Sequence, residues 1–169
     1  MKISGSYATH LGPLIACMNK SDGDVLELGL GFFSTPYLHY QCLLSDRTLV
    51  SVDNDKGWVQ KFADSDFNHY LYRRGKHEFI YTKTWEDVQV DKPWDVVLVD
   101  QTPDEQRGIF ARRLANLAKY IIIHDSNERH EHNYHYSEIY PLFKHKRIWD
   151  KDDRHATVLS NFIDLEDLW

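Results

Sequence analysis

Short apolar runs alternate with amphipathic stretches along all 169 residues of the chain. Leu11 to Met18 predicts a short helix that stops at the turn-rich Asn19-Lys20-Ser21-Asp22-Gly23. Asp24-Val25-Leu26-Glu27-Leu28 predicts strand 1, and Gly29-Leu30-Gly31 a turn. Thr35-Pro36 opens a helix running to Leu44, since proline at the first helical position gives up no needed N–H. Thr48 to Asp53 predicts strand 2, Asp55 to Ala63 a helix, and His77 to Tyr81 strand 3. Asp95 to Asp100 is nearly all apolar between its ends, as a strand covered on both faces must be. Pro103 to Leu117 predicts a helix with Ile109, Leu114, Leu117 and Ala118 on its apolar side. Tyr120 to His124 predicts strand 5, and Ser137 to Phe143 a short helix. Lys146–Trp149 and Ala156–Ser160 predict strands 6 and 7. The turn Asp150-Lys151-Asp152-Asp153 between them is too short for a crossover helix, so they form an antiparallel hairpin.

This alternation predicts an α/β fold. The expected form is a doubly wound, seven-stranded, mostly parallel sheet with an antiparallel C-terminal hairpin and helices on both faces. No Pro/Gly linker, repeat or low-complexity tract interrupts it, so residues 1–169 read as one domain.

Composition narrows the choice of function. Lys and Arg number 20 against 26 Asp and Glu, a net charge of −6, which argues against a nucleic-acid partner. The longest apolar runs are Val96–Val99 and Tyr120–Ile123, far short of the roughly 20 residues a membrane helix needs. No Lys/Arg-led apolar segment with a small-residue cleavage site opens the chain, so a cytoplasmic protein is expected. Cys17 and Cys42 form no CxxC pattern and read as core thiols.

The chemistry-bearing positions fall at predicted strand ends. Gly29 and Gly31 allow a tight turn and close approach of a ligand to bare backbone, and the helix that follows offers free N–H groups to an anion. Glu27 lies inside an apolar strand, where a carboxylate needs a partner. Asp53 ends strand 2, 24 residues after Gly29, where an acid accepts hydrogen bonds from ribose hydroxyls or caps the next helix. Asp100-Gln101 and His124-Asp125-Ser126-Asn127 follow the two central strands, where open α/β sheets place ligands. Glu128-Arg129-His130-Glu131-His132-Asn133-Tyr134-His135-Tyr136 matches no structural zinc spacing and reads as a polar loop. Arg73-Arg74-Gly75-Lys76-His77 reads as a solvated basic loop.

Four pieces in order carry a resemblance: Leu26-Glu27-Leu28-Gly29-Leu30-Gly31, Val52-Asp53, Trp94 to Asp100, and Ile121-Ile122-Ile123-His124-Asp125. With the final hairpin, they make the chain resemble the class I S-adenosylmethionine-dependent methyltransferases over essentially its whole length. The resemblance implies that Glu27, Gly29, Gly31 and Ser34 line the methionine end of S-adenosylmethionine. Asp53 and Asn54 would then take the ribose, and Thr84-Trp85 would sit by the adenine with Trp85 stacking on it. Residues 1–23 would form a leader and helix covering the cofactor site. Asp100 would face the methyl group, with His124 or Asp100 as general base on an acceptor hydroxyl. In the metal-dependent branch, Asp100 and Asp125 would share a divalent metal. That branch follows its second Asp with Asn, whereas here Ser126 intervenes before Asn127.

The expected reaction is methyl transfer to an oxygen of a small molecule or glycan end. No Asn-Pro-Pro-Tyr motif of the amine-modifying kind follows strand 4; the chain reads Asp100-Gln101-Thr102-Pro103 there. A nicotinamide-dependent oxidoreductase is weakened by Ser34 in place of a third glycine and by the hairpin. A non-catalytic nucleoside-binding module and a homo-oligomer stay open.

Overall fold

The computed structural model describes residues 5–64, 76–151 and 154–169. Residues 73–75 of the basic loop, residues 152–153 of the hairpin turn and the first four residues of the leader lie outside the described residues. Seven strands form one sheet in the order β3-β2-β1-β4-β5-β7-β6. They are β1 (Val25–Leu28), β2 (Thr48–Asp53), β3 (Lys76–Tyr81), β4 (Trp94–Val99), β5 (Ala118–His124), β6 (His145–Trp149) and β7 (Ala156–Ser160). Pairings among β1 to β5 are parallel, and β7 runs antiparallel to both β5 and β6. The expected sheet and its closing hairpin are therefore present.

The helices are α1 (Leu11–Asn19), α2 (Ser34–Leu44), α3 (Lys56–Ala63), α4 (Glu105–Leu114) and the single turns α5 (Glu131–Tyr134) and α6 (Tyr136–Ile139). Strand alternation divides the core in two. Leu26, Leu28, Val97, Val99, Ile121 and Ile123 pack with Phe110, Ala111 and Leu114 of α4. Val25, Leu49, Val96, Leu98 and Ile122 pack on the other face with Leu14 and Cys17 of α1 and Leu38 and Cys42 of α2. Both cysteines are free and buried, and burial pushes the Cys42 thiol up to about 12. Among the described residues no helix is long and apolar enough to cross a membrane.

Three expectations need correction. The helix after β4 ends at Leu114, three residues early, and Ala118 begins β5. Ile109 is 47% exposed, whereas Arg107, Phe110, Ala111 and Leu114 turn inward. The arginine takes the core side because carboxylates wait for it there. The His-rich stretch is not a polar loop. His135 takes a left-handed backbone (φ 53°) between α5 and α6, and this turn buries Tyr134 and Tyr136. Buried aromatic area outweighs the polarity of their neighbours. Finally, the expected helix over Ser137–Phe143 breaks after Ile139 into a 3-10 turn, Tyr140–Leu142, with Pro141 inside it.

Candidate active site

β1 hands the chain to α2 through Gly29. This residue has φ +88°, and a Cβ there would lie 2.6 Å from the backbone carbon and oxygen of Asp100. Only glycine fits both the left-handed backbone and that close approach. Gly31 lies outside that strained region; its Cβ would meet only the Ser34 hydroxyl, at 3.0 Å. α2 then begins without a side-chain cap at Phe33. The Thr35 N–H donates to the Gly31 carbonyl at 3.1 Å and Pro36 has no N–H, so the Ser34 N–H is the first-turn donor nearest the glycine turn in sequence.

Glu27 supports this turn from beneath. It is fully buried, and the Thr35 hydroxyl donates to it at 2.9 Å while accepting the Gly31 N–H at 2.9 Å. Ser51 of β2 donates to its other oxygen at 2.6 Å. His77 Nε2 lies 2.9 Å from Ser51 Oγ, and His77 Nδ1 lies 3.0 Å from His39 Nδ1. Since Ser51 gives its proton to Glu27, His77 must donate from Nε2 and accept from His39 at Nδ1. Burial pushes the Glu27 carboxyl up to about 7 despite the hydroxyls that oppose the rise, and pushes His77 down to about 3. Glu27 thus holds the loop through Thr35. Its carboxylate does not line an open surface, because a charge inside a strand must be satisfied by groups packed on it.

Asp53 ends β2 beside the same turn. One carboxylate oxygen accepts the Leu30 N–H at 2.9 Å and the other the Asp55 N–H at 2.8 Å. Burial raises its pKa, with the backbone donors pulling against it. The cap of α3 is Asp55, which accepts the Trp58 N–H, so the capping role considered for Asp53 falls to Asp55. Asn54 is exposed beside it.

The second half of the site lies at the ends of β4 and β5. Asp100 Oδ1 is 2.9 Å from His124 Nδ1 and 3.1 Å from Arg107 Nη2. His124 Nε2 is 2.9 Å from the Thr9 hydroxyl. Asp100 therefore selects the tautomer: Nδ1–H donates to it, and Nε2 accepts from Thr9. Burial by itself would raise the Asp100 pKa. The neighbouring His124, which donates to it, and then the charge of Arg107 overcome it and hold the carboxyl well below its usual range. Arg107, 5% exposed, also donates to the carbonyls of Gln101 (2.9 Å) and His124 (3.1 Å) and lies 3.5 Å from Asp125 Oδ2. Arg154 contacts both oxygens of Asp125 at 3.0 Å. His10 is 2% exposed and edge-on to His124, and neither of its ring nitrogens has a hydrogen-bond partner. Burial pushes His10 down to about 4, against the pull of Asp100.

The structure thus brings Glu27, Gly29, Gly31, Ser34 and Asp53 to one end of the sheet, with Asp100, His124 and Asp125 beyond β4 and β5. Trp85 is turned into the core. The indole is 3% exposed, edge-on to Phe110, and donates to the Thr102 carbonyl at 2.8 Å. It is a core side chain rather than a stacking surface, since the space beneath α4 accepts a large apolar ring. Thr84 is exposed, its hydroxyl tied to Asp87.

The expected Asp100–Asp125 metal pair is likewise regrouped. Asp125 is occupied by two guanidinium groups, whose charge opposes a cation. Ser126 accepts from Thr157, and Asn127 accepts the His155 N–H, so both serve the β5–β7 connection. A metal shared by Asp100 and Asp125 does not fit this donor set.

Sequence reasoning missed Thr9, His10, Arg107 and Arg154. Arg107 carried one available signal: it sits three residues before Phe110 and seven before Leu114 on the same helical face.

No protein-family model and no curated protein matches this sequence. Solved structures do match. An O-methyltransferase from Bacillus cereus in complex with SAH superposes with a TM-score of 0.66 at 14% identity, covering 94% of this chain and 82% of that one. The N-terminal domain of human METTL16 in complex with SAH gives 0.63 at 11% identity, covering 96% and 73%. A methyltransferase from Pyrococcus furiosus gives 0.57 at 11% identity, covering 91% and 83%. At such identities the likeness concerns the fold. This chain has the Rossmann-like fold of the class I S-adenosylmethionine-dependent methyltransferases.

Proposed function

We propose that the protein transfers the methyl group of S-adenosylmethionine to an oxygen of a small molecule or an exposed glycan end. The observation that carries this reading is the Asp100–His124 pair at the ends of β4 and β5, with Nδ1 anchored and Nε2 turned toward a hydroxyl. An imidazole held in that tautomer is a base awaiting an O–H proton.

The residues suit the cofactor. Gly31 has no side chain, and only the Ser34 hydroxyl stands close to where one would be, so a ligand can approach bare backbone there, and the start of α2, which has no side-chain cap, suits the carboxylate of its methionine end. Asp53 keeps lone pairs beyond its two backbone bonds for the ribose hydroxyls. When bound, S-adenosylmethionine supplies a methyl group already activated on a sulfonium. The chain then has two tasks. It aligns an acceptor, and His124 Nε2 takes the acceptor proton while Asp100 stabilises the imidazolium. The Thr9 hydroxyl marks the position an acceptor hydroxyl would take against Nε2. Arg107 keeps Asp100 ionised throughout.

Calorimetry with S-adenosylmethionine, its demethylated product and NADH tests the cofactor. Binding of the first two and not the third is expected; binding of NADH alone would overturn the reading. A methyl-labelled donor offered with a panel of hydroxylated small molecules and glycans tests the reaction. Donor binding without transfer to any acceptor would point to a binding module.

A further inference from the structure

We propose that His10, Asp100 and His124 form a binding site for a divalent transition-metal ion of the zinc class. Among the described residues these three each offer a ligand atom, all within 4.8 Å of one another. His10 comes from just before α1, Asp100 from the end of β4 and His124 from the end of β5.

Two observations point to a cation. The first is His10. Its ring is buried, neither nitrogen is hydrogen-bonded, and Nδ1 stands 4.0 Å from Asp100 Oδ2. A buried imidazole with no partner costs free energy that a bound ion would recover. The second is spacing. Zinc binds nitrogen and oxygen at about 2.0–2.2 Å in a tetrahedron, which sets its ligand atoms roughly 3.3 Å apart. The two oxygens of Asp100 divide between the histidines, Oδ1 at 2.9 Å from His124 Nδ1 and Oδ2 at 4.0 Å from His10 Nδ1, so modest shifts of the side chains bring one ligand atom from each residue to that spacing.

Charge and protons are also accounted for. Asp100, Asp104 and Asp125 surround Arg107 and Arg154, three carboxylates against two guanidinium groups. Arg107 engages Asp100 through Oδ1, and Oδ2 faces His10. For His124 to bind through Nδ1, its ring proton moves to Nε2, where the Thr9 hydroxyl turns to accept it. No proton leaves the site. Two imidazoles and one carboxylate leave a fourth position open, the pattern of a catalytic rather than a structural zinc site. The two roles of His124, ligand and free base, alternate.

Metal-free protein titrated with Co2+ and Zn2+, followed by visible absorption and calorimetry, tests the site. One ion per chain is expected, with the visible bands of low-coordinate cobalt. Losing a partner that merely orients a ligand costs roughly 10–100-fold in affinity, so His10→Ala and His124→Ala are each expected to cost at least that. His132→Ala, at an exposed position of α5, is expected to change nothing. No binding by the wild type overturns the proposal. So does binding that survives both ligand variants or disappears in His132→Ala, since the His-rich segment then holds the ion. Should His10→Ala fail to fold, histidine ring resonances of the wild type decide the same question: Zn2+ must shift those of His10 and His124. The proposal stands apart from methyl transfer. Transfer by a protein that takes up neither Co2+ nor Zn2+ keeps the proposed function and removes this site. A bound cation without affinity for S-adenosylmethionine does the reverse.

Discussion

Arg107 Nη2 lies 3.1 Å from the carboxylate of Asp100 and 3.3 Å from its backbone carbonyl, so one guanidinium edge holds both side chain and main chain at the end of β4. The same group reaches the His124 carbonyl and Asp125, and thereby ties β4, β5 and α4 together at the site.

Arg107→Leu is expected to destabilise the protein severely. It takes the guanidinium from Asp100 and from the Gln101 and His124 carbonyls, and breaking a buried pair typically costs about 3–5 kcal/mol. Arg107→Lys should rescue only part of this, since one ammonium cannot reproduce the fixed fork of a guanidinium across several acceptors. Urea unfolding of the two variants checks the ranking; equal stability of Arg107→Leu and wild type would refute the role.

The glycines of the turn should separate stability from binding. Gly29→Ala combines a left-handed backbone cost of roughly 1–2 kcal/mol with a Cβ placed 2.6 Å from the Asp100 backbone. A loss on the order of 2–4 kcal/mol is expected. Gly31→Val should fold and yet lose affinity for S-adenosylmethionine, because the side chain fills the approach to the loop. Thermal melts and calorimetry read the two effects independently.

Asp53→Ala removes the proposed ribose acceptor. A hydrogen bond to a charged group is worth roughly 1.5–3 kcal/mol, so affinity for S-adenosylmethionine should fall about 10- to 150-fold. Unchanged affinity would remove Asp53 from the cofactor site.

Asp100→Asn leaves His124 without its anionic anchor. Turnover on an identified acceptor should fall by roughly 10²–10⁴, with a much smaller change in S-adenosylmethionine affinity. Full activity in the variant would rule out the Asp100–His124 base.

Glu27 makes stability depend on pH in a direction unusual for an acid. Its folded pKa is raised to about 7 from an ordinary value of 4.5. Between those values the native state binds more protons than the unfolded one. Stability therefore falls as pH rises through this window and levels off above it. Glu27→Gln removes the ionisation; its amide oxygen still accepts from one hydroxyl, and its N–H can donate to the other once that hydroxyl turns. It should be nearly neutral at pH near 4 and stabilising by roughly 1–3 kcal/mol at pH near 8. Urea midpoints of both proteins across that range decide it; parallel curves would mean that Glu27 does not titrate there.

The sequence by itself determined the strands, their alternation with helices, the closing hairpin, and the placement of Gly29, Asp53, Asp100 and His124 at strand ends. These are local properties. Period-2 burial, the backbone demands of a glycine turn and the shortness of the 150–153 connection act over a few neighbouring residues and leave a readable pattern. Tertiary structure alone decided which distant groups meet. Thr9 reaches His124 across 115 positions, and Arg154 reaches Asp125 across 29. Such pairings follow from charge and hydrogen-bond complementarity after the helices dock, and that complementarity has no period. Arg107 shares a helical face with Phe110 and Leu114, but only the ends of β4 and β5 set carboxylates and carbonyls around it. Trp85 reads as a ligand-facing ring until α4 covers it. In both cases the side chain's surroundings are built by elements far away in the chain, and those surroundings decide what it does.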